Sequence, residues 1–162
     1  MRKFEKITFE QFKKDVEESE ELYREFQLPS REMMFSAGYD FYSLSDFVIK
    51  PGEIKKIPTG VKAMMEDDEF LALVVKGSQG FKHNIRLINQ FGVVDKDFYN
   101  NPTNEGHIWV GLKNEGNKDY VVNKGDGIVQ GIFMKYLLTD DDHEKSKKIR
   151  GYEDDRYLKE VE

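Results

Sequence analysis

The chain has 162 residues, 38% of them hydrophobic and 35% charged, with a formal net charge of −6 and no cysteine. This length suits one domain with a modest core, and the acidity argues against a general nucleic-acid binder, which presents a basic face. Without cysteine there is no disulfide, thiol nucleophile or thiolate metal site, and no apolar run reaches membrane-spanning length, so a cytoplasmic protein without nucleic-acid or membrane partners is expected.

The chain divides into an N-terminal strand and helix extension over residues 1–27, a β domain over 28–138 and a charged tail over 139–162. From Thr8 to Gln27 the residues Phe9, Phe12, Val16, Leu22, Tyr23 and Phe26 recur at helical spacing, and Thr8 with Gln11 makes a capping box. The pattern is an amphipathic helix, with a break allowed in the acidic stretch Glu17-Glu18-Ser19-Glu20-Glu21. From Phe35 to Leu138 short apolar runs alternate with turn signals. The runs include Phe47-Val48-Ile49, Phe70 to Val75 and His107 to Leu112; the turns include Lys50-Pro51-Gly52-Glu53 and Asn123-Lys124-Gly125-Asp126. Strands this short, with no crossover helices between them, predict a sandwich or jelly-roll barrel rather than a parallel sheet. After Thr139 the run Asp140-Asp141-Asp142-His143-Glu144-Lys145-Ser146-Lys147-Lys148 reads as solvated. His83, His107 and His143 stand in no metal-binding spacing.

The most informative segment is Asn89-Gln90-Phe91-Gly92-Val93-Val94-Asp95-Lys96-Asp97-Phe98-Tyr99. It predicts a β-hairpin arm that sets Asp95 at the edge of a buried strand, with an Asn amide upstream. A carboxylate held against an apolar wall suits a general base, and a hairpin backbone can read the edge of a flat ring. Asp40 begins a strand after a Gly-Tyr turn. Lys76-Gly77-Ser78-Gln79 follows an apolar run, and Gly125-Asp126-Gly127-Ile128-Val129-Gln130 makes a turn into another. An acidic chain that handles a triphosphate needs a divalent cation to bring the ligand in.

Ala37-Gly38-Tyr39-Asp40, the hairpin segment and Gly125 to Gln130, in this order, resemble the trimeric dUTPase family over nearly all of Leu28 to Phe133. The resemblance implies an all-β, dUTPase-like jelly roll that forms a homotrimer and binds a deoxyuridine nucleotide. The implied reaction is Mg²⁺-dependent hydrolysis of dUTP to dUMP and pyrophosphate, which limits uracil incorporation into DNA. It gives Asp95 the role of base for the water that attacks the α-phosphorus. Asn89 and the backbone of Val93 and Val94 read the uracil edge, Phe98 lies beneath the deoxyribose, and Asp40 reaches Mg²⁺ through a water. Lys76, Gly77, Ser78 and Gln130 fall at the phosphates, and Tyr152 at the ring that stacks on uracil. The chain departs from the family in five places: Lys76 for Arg, Gly77 for Ser, Phe98 for Tyr, Gly127 for Arg, and the acids Glu153, Asp154 and Asp155 in a tail that is elsewhere Arg- and Gly-rich. Two other readings stay open: a dUTPase-fold module that senses nucleotide or binds protein with weakened catalysis, and a pyrophosphatase for another deoxynucleotide. Deamination of dCTP is disfavoured, because Trp109-Val110-Gly111-Leu112 lacks the glutamate that reaction requires.

Overall fold

The computed structural model describes residues 1–142, in which every paired strand is antiparallel. Four strands form the sheet that matters most: β2 (Tyr39–Tyr42), β11 (Gly127–Lys135), β6 (Glu69–Val74) and β8 (Gly92–Asp95), in that spatial order. A second sheet places β4 (Ile54–Pro58), β9 (Trp109–Asn114) and β7 (Ile85–Leu87) side by side. Two ribbons complete the barrel: β1 (Lys3–Lys6) with β5 (Val61–Met64), and β3 (Phe47–Ile49) with β10 (Tyr120–Val122). The expected all-β jelly roll is present.

Alternation sets the core. On β6 Leu71 and Leu73 face inward with Val94 of β8, and on β9 Val110 and Leu112 do the same. Phe12, Phe41, Ile49 and Ile128 join one continuous apolar cluster with them. The N-terminal segment shares that cluster. Its helical pattern resolves into α1 (Phe9–Asp15) and α2 (Glu20–Glu25), broken in the acidic stretch where Ser19 caps the second helix. Phe12, Leu22 and Phe26 are their buried faces.

Two local expectations are corrected. Thr8 caps α1, its hydroxyl accepting from Gln11 N at 3.3 Å, but Gln11 does not close the box. Its amide donates to Asp15 Oδ2 at 2.9 Å, and Thr8 N donates instead to Glu105 Oε1 at 2.6 Å. The hairpin arm is also absent: β7 and β8 belong to different sheets, and the turn between them carries the chain from one to the other. Gln90 turns it at φ 62°, and β9 rather than β8 takes β7 as its partner. Beyond Asp95 the chain is not extended, because Lys96–Phe98 forms a 3-10 turn.

His107, fully buried, ties α1 to the barrel. Its Nε2 accepts from Gly60 N at 2.8 Å, so the ring proton sits on Nδ1, which lies 2.6 Å from Asp15 Oδ2. Gly60 has φ +77°, and a methyl group there would lie 2.8 Å from the Phe26 ring, so this turn needs glycine on both counts. Burial opposes the charge on Asp15, but the bonds from His107 and Gln11 outweigh it and hold the carboxyl below its usual range. A depressed carboxyl stabilises above its unfolded pKa and loses that contribution as pH falls through the folded value. Asp15→Asn is therefore expected to cost about 1 kcal/mol at pH 7, a deficit that holds down to about pH 4 and fades only as pH falls further, through the folded value; urea denaturation across that range measures it.

Candidate active site

Strand β6 is the ruler for this site. It is hydrogen-bonded on both sides, with Gln130, Ile132 and Met134 of β11 opposite Val74, Ala72 and Phe70, and Val93 and Asp95 of β8 opposite Ala72 and Phe70. Side chains alternate, so these residues share the outward face of the sheet. β2 continues the first row, with Asp40 opposite Gln130.

One end of that face gathers charge. Lys76, just beyond β6, points its Nζ at Asp40 Oδ2, 2.8 Å away. Burial works against the ammonium, but the hydrogen bond and charge of Asp40 outweigh it, with help from Glu32, and the Lys76 pKa rises. Gln130 donates from Nε2 to Val75 O at 3.2 Å, which uses one of its two amide hydrogens. Gly38 makes room for that side chain: a methyl group on Gly38 would lie 2.1 Å from Gln130 Oε1. Gly77 and Ser78 are exposed at the start of α3 (Gly77–His83). Asp126 fastens the turn into β11 by accepting from Asn123 N at 2.8 Å.

Gln79 holds this end together, a role that residue patterning alone does not reveal. Only 2% exposed, it accepts from Lys76 N at 2.7 Å and donates to Ile128 O at 2.8 Å. It thereby clamps the Lys76-Gly77-Ser78 turn to β11.

The other end of the face carries Asp95. It ends β8 in a row with Phe70 and Met134, and Val93 precedes it on the same side. Phe91 packs its ring on Phe70 at 6.4 Å, and Tyr136 does so at 6.3 Å from the other side, so Asp95 stands beside apolar surface. β8 is an edge strand, so half of its N–H and C=O groups, around Val93 and Val94, point away from β6. Asn89 is exposed in the preceding turn, and its carbonyl accepts from Phe91 N at 2.6 Å. Phe98 is buried in the common core. Tyr152 lies outside the described residues.

The two ends do not meet. Asp95 is opposite Phe70, and the six residue steps from Phe70 to Lys76 span about 20 Å of strand, far beyond the reach of a lysine side chain. A single chain thus brings Asp40, Lys76, Gln130 and the Gly77-Ser78 turn together and leaves Asp95 and the β8 edge apart from them. Among the described residues no cluster of three or more His, Cys, Asp or Glu side chains is placed to hold a metal ion, and no helix is long and apolar enough to cross a membrane.

A family model described as dUTPase matches residues 24–154. The deoxyuridine 5'-triphosphate nucleotidohydrolase of Lactococcus lactis subsp. lactis (strain IL1403) is 43% identical over 123 residues, which cover 76% of this chain and 82% of that one. The protein of the same name from Haemophilus influenzae (strain PittEE) is 36% identical over 119 residues, 72% of this chain and 75% of its own. Among solved structures, the crystal structure of dUTPase from Streptococcus mutans superposes with a TM-score of 0.68 at 42% identity, covering 85% of this chain and 98% of that chain. The native EIAV dUTPase has a TM-score of 0.64 at 19% identity, over 92% of this chain and 100% of its own, a likeness of fold.

Gln79→Ala strands two buried groups, Lys76 N–H and Ile128 C=O. It is expected to lower stability by about 2–4 kcal/mol in urea denaturation, and Gln79→Glu, which buries a carboxylate with an oxygen against the Ile128 carbonyl, by at least as much at pH 7.

Proposed function

This chain belongs to the dUTPase family and hydrolyses dUTP to dUMP and pyrophosphate, and we propose that it does so as a homotrimer, with Mg²⁺, at sites assembled from more than one copy. The observation that carries the proposal is the separation of about 20 Å between Asp95 and the Lys76 end of the same sheet face. A ring of copies arranged head to tail sets the Asp95 end of one against the Lys76 end of the next and closes without leaving either end unused. The surface around Asp95 suits burial in such a contact, because Phe91, Val93, Met134 and Tyr136 are all exposed there in the single chain.

In this site Asp95 takes a proton from a water as the water oxygen bonds to the α-phosphorus. The bond from that phosphorus to the bridging oxygen breaks, and pyrophosphate leaves. The apolar neighbours of Asp95 keep other water away. Uracil pairs with the outward N–H and C=O groups of β8, with Asn89 contributing its amide, while Phe98, expected beneath the sugar, is buried in the core and supports the turn after Asp95 from within. A polar edge of this kind rejects a ring with the wrong donor pattern, since its own groups would be left unpaired. Lys76, Ser78 and the second amide hydrogen of Gln130 bind phosphate oxygens beside the Gly77 turn.

The donors present fit Mg²⁺ only as a largely hydrated ion. Asp40 offers one carboxylate whose Oδ2 already accepts from Lys76, leaving Oδ1 for a metal-bound water. Magnesium characteristically keeps several waters and leans on substrate phosphates, so one such carboxylate is enough. When bound it would neutralise phosphate charge that an acidic chain otherwise repels.

Pyrophosphate release with Mg²⁺ from dUTP, dCTP, dTTP and UTP in parallel is expected to occur from dUTP alone. Release mainly from another nucleotide overturns the uracil assignment, and nucleotide binding without release favours a sensing module. Asp95→Asn is expected to lose at least about a hundredfold in kcat while still binding dUTP. Mixing Asp95→Asn with Lys76→Ala by joint refolding is expected to restore about one quarter of the sites, because each intact site draws its two residues from different copies. No recovery in the mixture would refute the shared site.

A further inference from the structure

Gly127 opens β11, and its backbone does not need glycine. Its φ lies outside the left-handed region, unlike Gly125, which has φ +93° and no atom within 4 Å of where a methyl group would stand. Gly127 is the opposite case, a position constrained by space. A methyl group there would lie 3.1 Å from Lys76 Nζ, 3.2 Å from its Cδ and 3.7 Å from its Cε. The lysine stem therefore runs flat across Gly127 on its way to Asp40, with only 27% of the side chain exposed. Gln79 fixes where that stem begins, by holding Lys76 N, and the carboxylate of Asp40 fixes where it ends.

We propose that Gly127 is a positioning residue, an unfilled channel that steers the Lys76 ammonium into the phosphate-binding end beside Asp40. The proposal rests on the reading of that end as the place where the nucleotide phosphates bind. A lysine free in solvent has many rotamers, and holding one of them costs entropy each time a ligand binds. Laid in the channel, the stem meets that cost on folding, so the cation is already in place when the phosphates arrive.

The space available predicts a graded response. One methyl group presses on a flexible stem that can give a few tenths of an ångström, whereas a β-branched side chain fills the channel while suiting a strand. The test compares Gly127→Ala and Gly127→Val, each in the native background and with Lys76→Ala. Acetylation of Lys76 by acetic anhydride, followed by peptide mapping, reports the ammonium directly and needs no catalysis. It is expected to quicken about twofold in Gly127→Ala and at least about fivefold in Gly127→Val, as Lys76 leaves Asp40 for solvent. For dUTP hydrolysis, Gly127→Val is expected to raise KM about tenfold with a smaller change in kcat, and to add nothing once Lys76 is Ala. If Gly127→Val does not fold, the smaller labelling change in Gly127→Ala carries the decision. Unchanged Lys76 labelling across the series, or losses that multiply in the double variant, overturns the steering. A native chain that hydrolyses no dUTP overturns the functional reading alone, and the labelling still decides the steering.

Discussion

Strand β6 is the constraint on which the rest depends. With β11 on one side and β8 on the other, it has no edge along which to slide. A slip of one residue would turn Leu71 and Leu73 to solvent and bring Phe70 and Val74 inside, losing the buried face at once. The pairing therefore fixes how far apart the outward residues stand. Asp95 and Lys76 are held at separate places along one rigid line, and no side-chain rotation brings them together. A site that uses both of them has to take them from two copies of the chain.

The N-terminal segment braces the part of the barrel that follows Asp95. Glu105 adopts φ 64°, an uncommon conformation for a residue other than glycine, and its carboxylate accounts for it. It accepts from Lys62 Nζ at 2.9 Å, Thr8 N at 2.6 Å and the Thr8 hydroxyl at 2.7 Å. Burial opposes this carboxylate, yet the bonds from Lys62 and Thr8 prevail and its pKa falls below the ordinary range. Asn101 Nδ2 donates to Phe98 O at 2.7 Å from the same loop, and Tyr99 donates from its hydroxyl to Glu5 of β1 at 2.8 Å. The 3-10 turn after Asp95 is thus tied to α1 and β1.

Much of this was legible in the residues. Alternation announced the strands, Thr8 announced the start of α1, and Asp126 fastens the turn where a short acid in a Gly-rich segment belongs. The motif segments pointed to the residues that converge at the charged end. What could not be read was which strand pairs with which. Periodicity reports the buried face of a strand and not its neighbour, so the segment from Asn89 to Tyr99 passed for a hairpin arm although its strand, β8, pairs with β6. Gln79 was missed for a related reason: a polar residue near a helix start reads as solvated, and its partner Ile128 is 49 residues away. His107 looked ordinary because its two partners lie 47 and 92 residues distant.

The pairing of β1 with β5 has a consequence during synthesis. Lys3 to Lys6 leave the ribosome well before Val61 to Met64, and Thr8 leaves before Glu105, to which it is bonded in the finished fold. Until Val61 to Met64 emerge, β1 is an unpaired strand, and its Phe4 waits longer still for Phe133, which joins Tyr39 and Phe41 around it. The fold closes by bringing an early segment back onto later ones, so a nascent chain stalled before Glu105 would hold α1 with Thr8 N still seeking an acceptor.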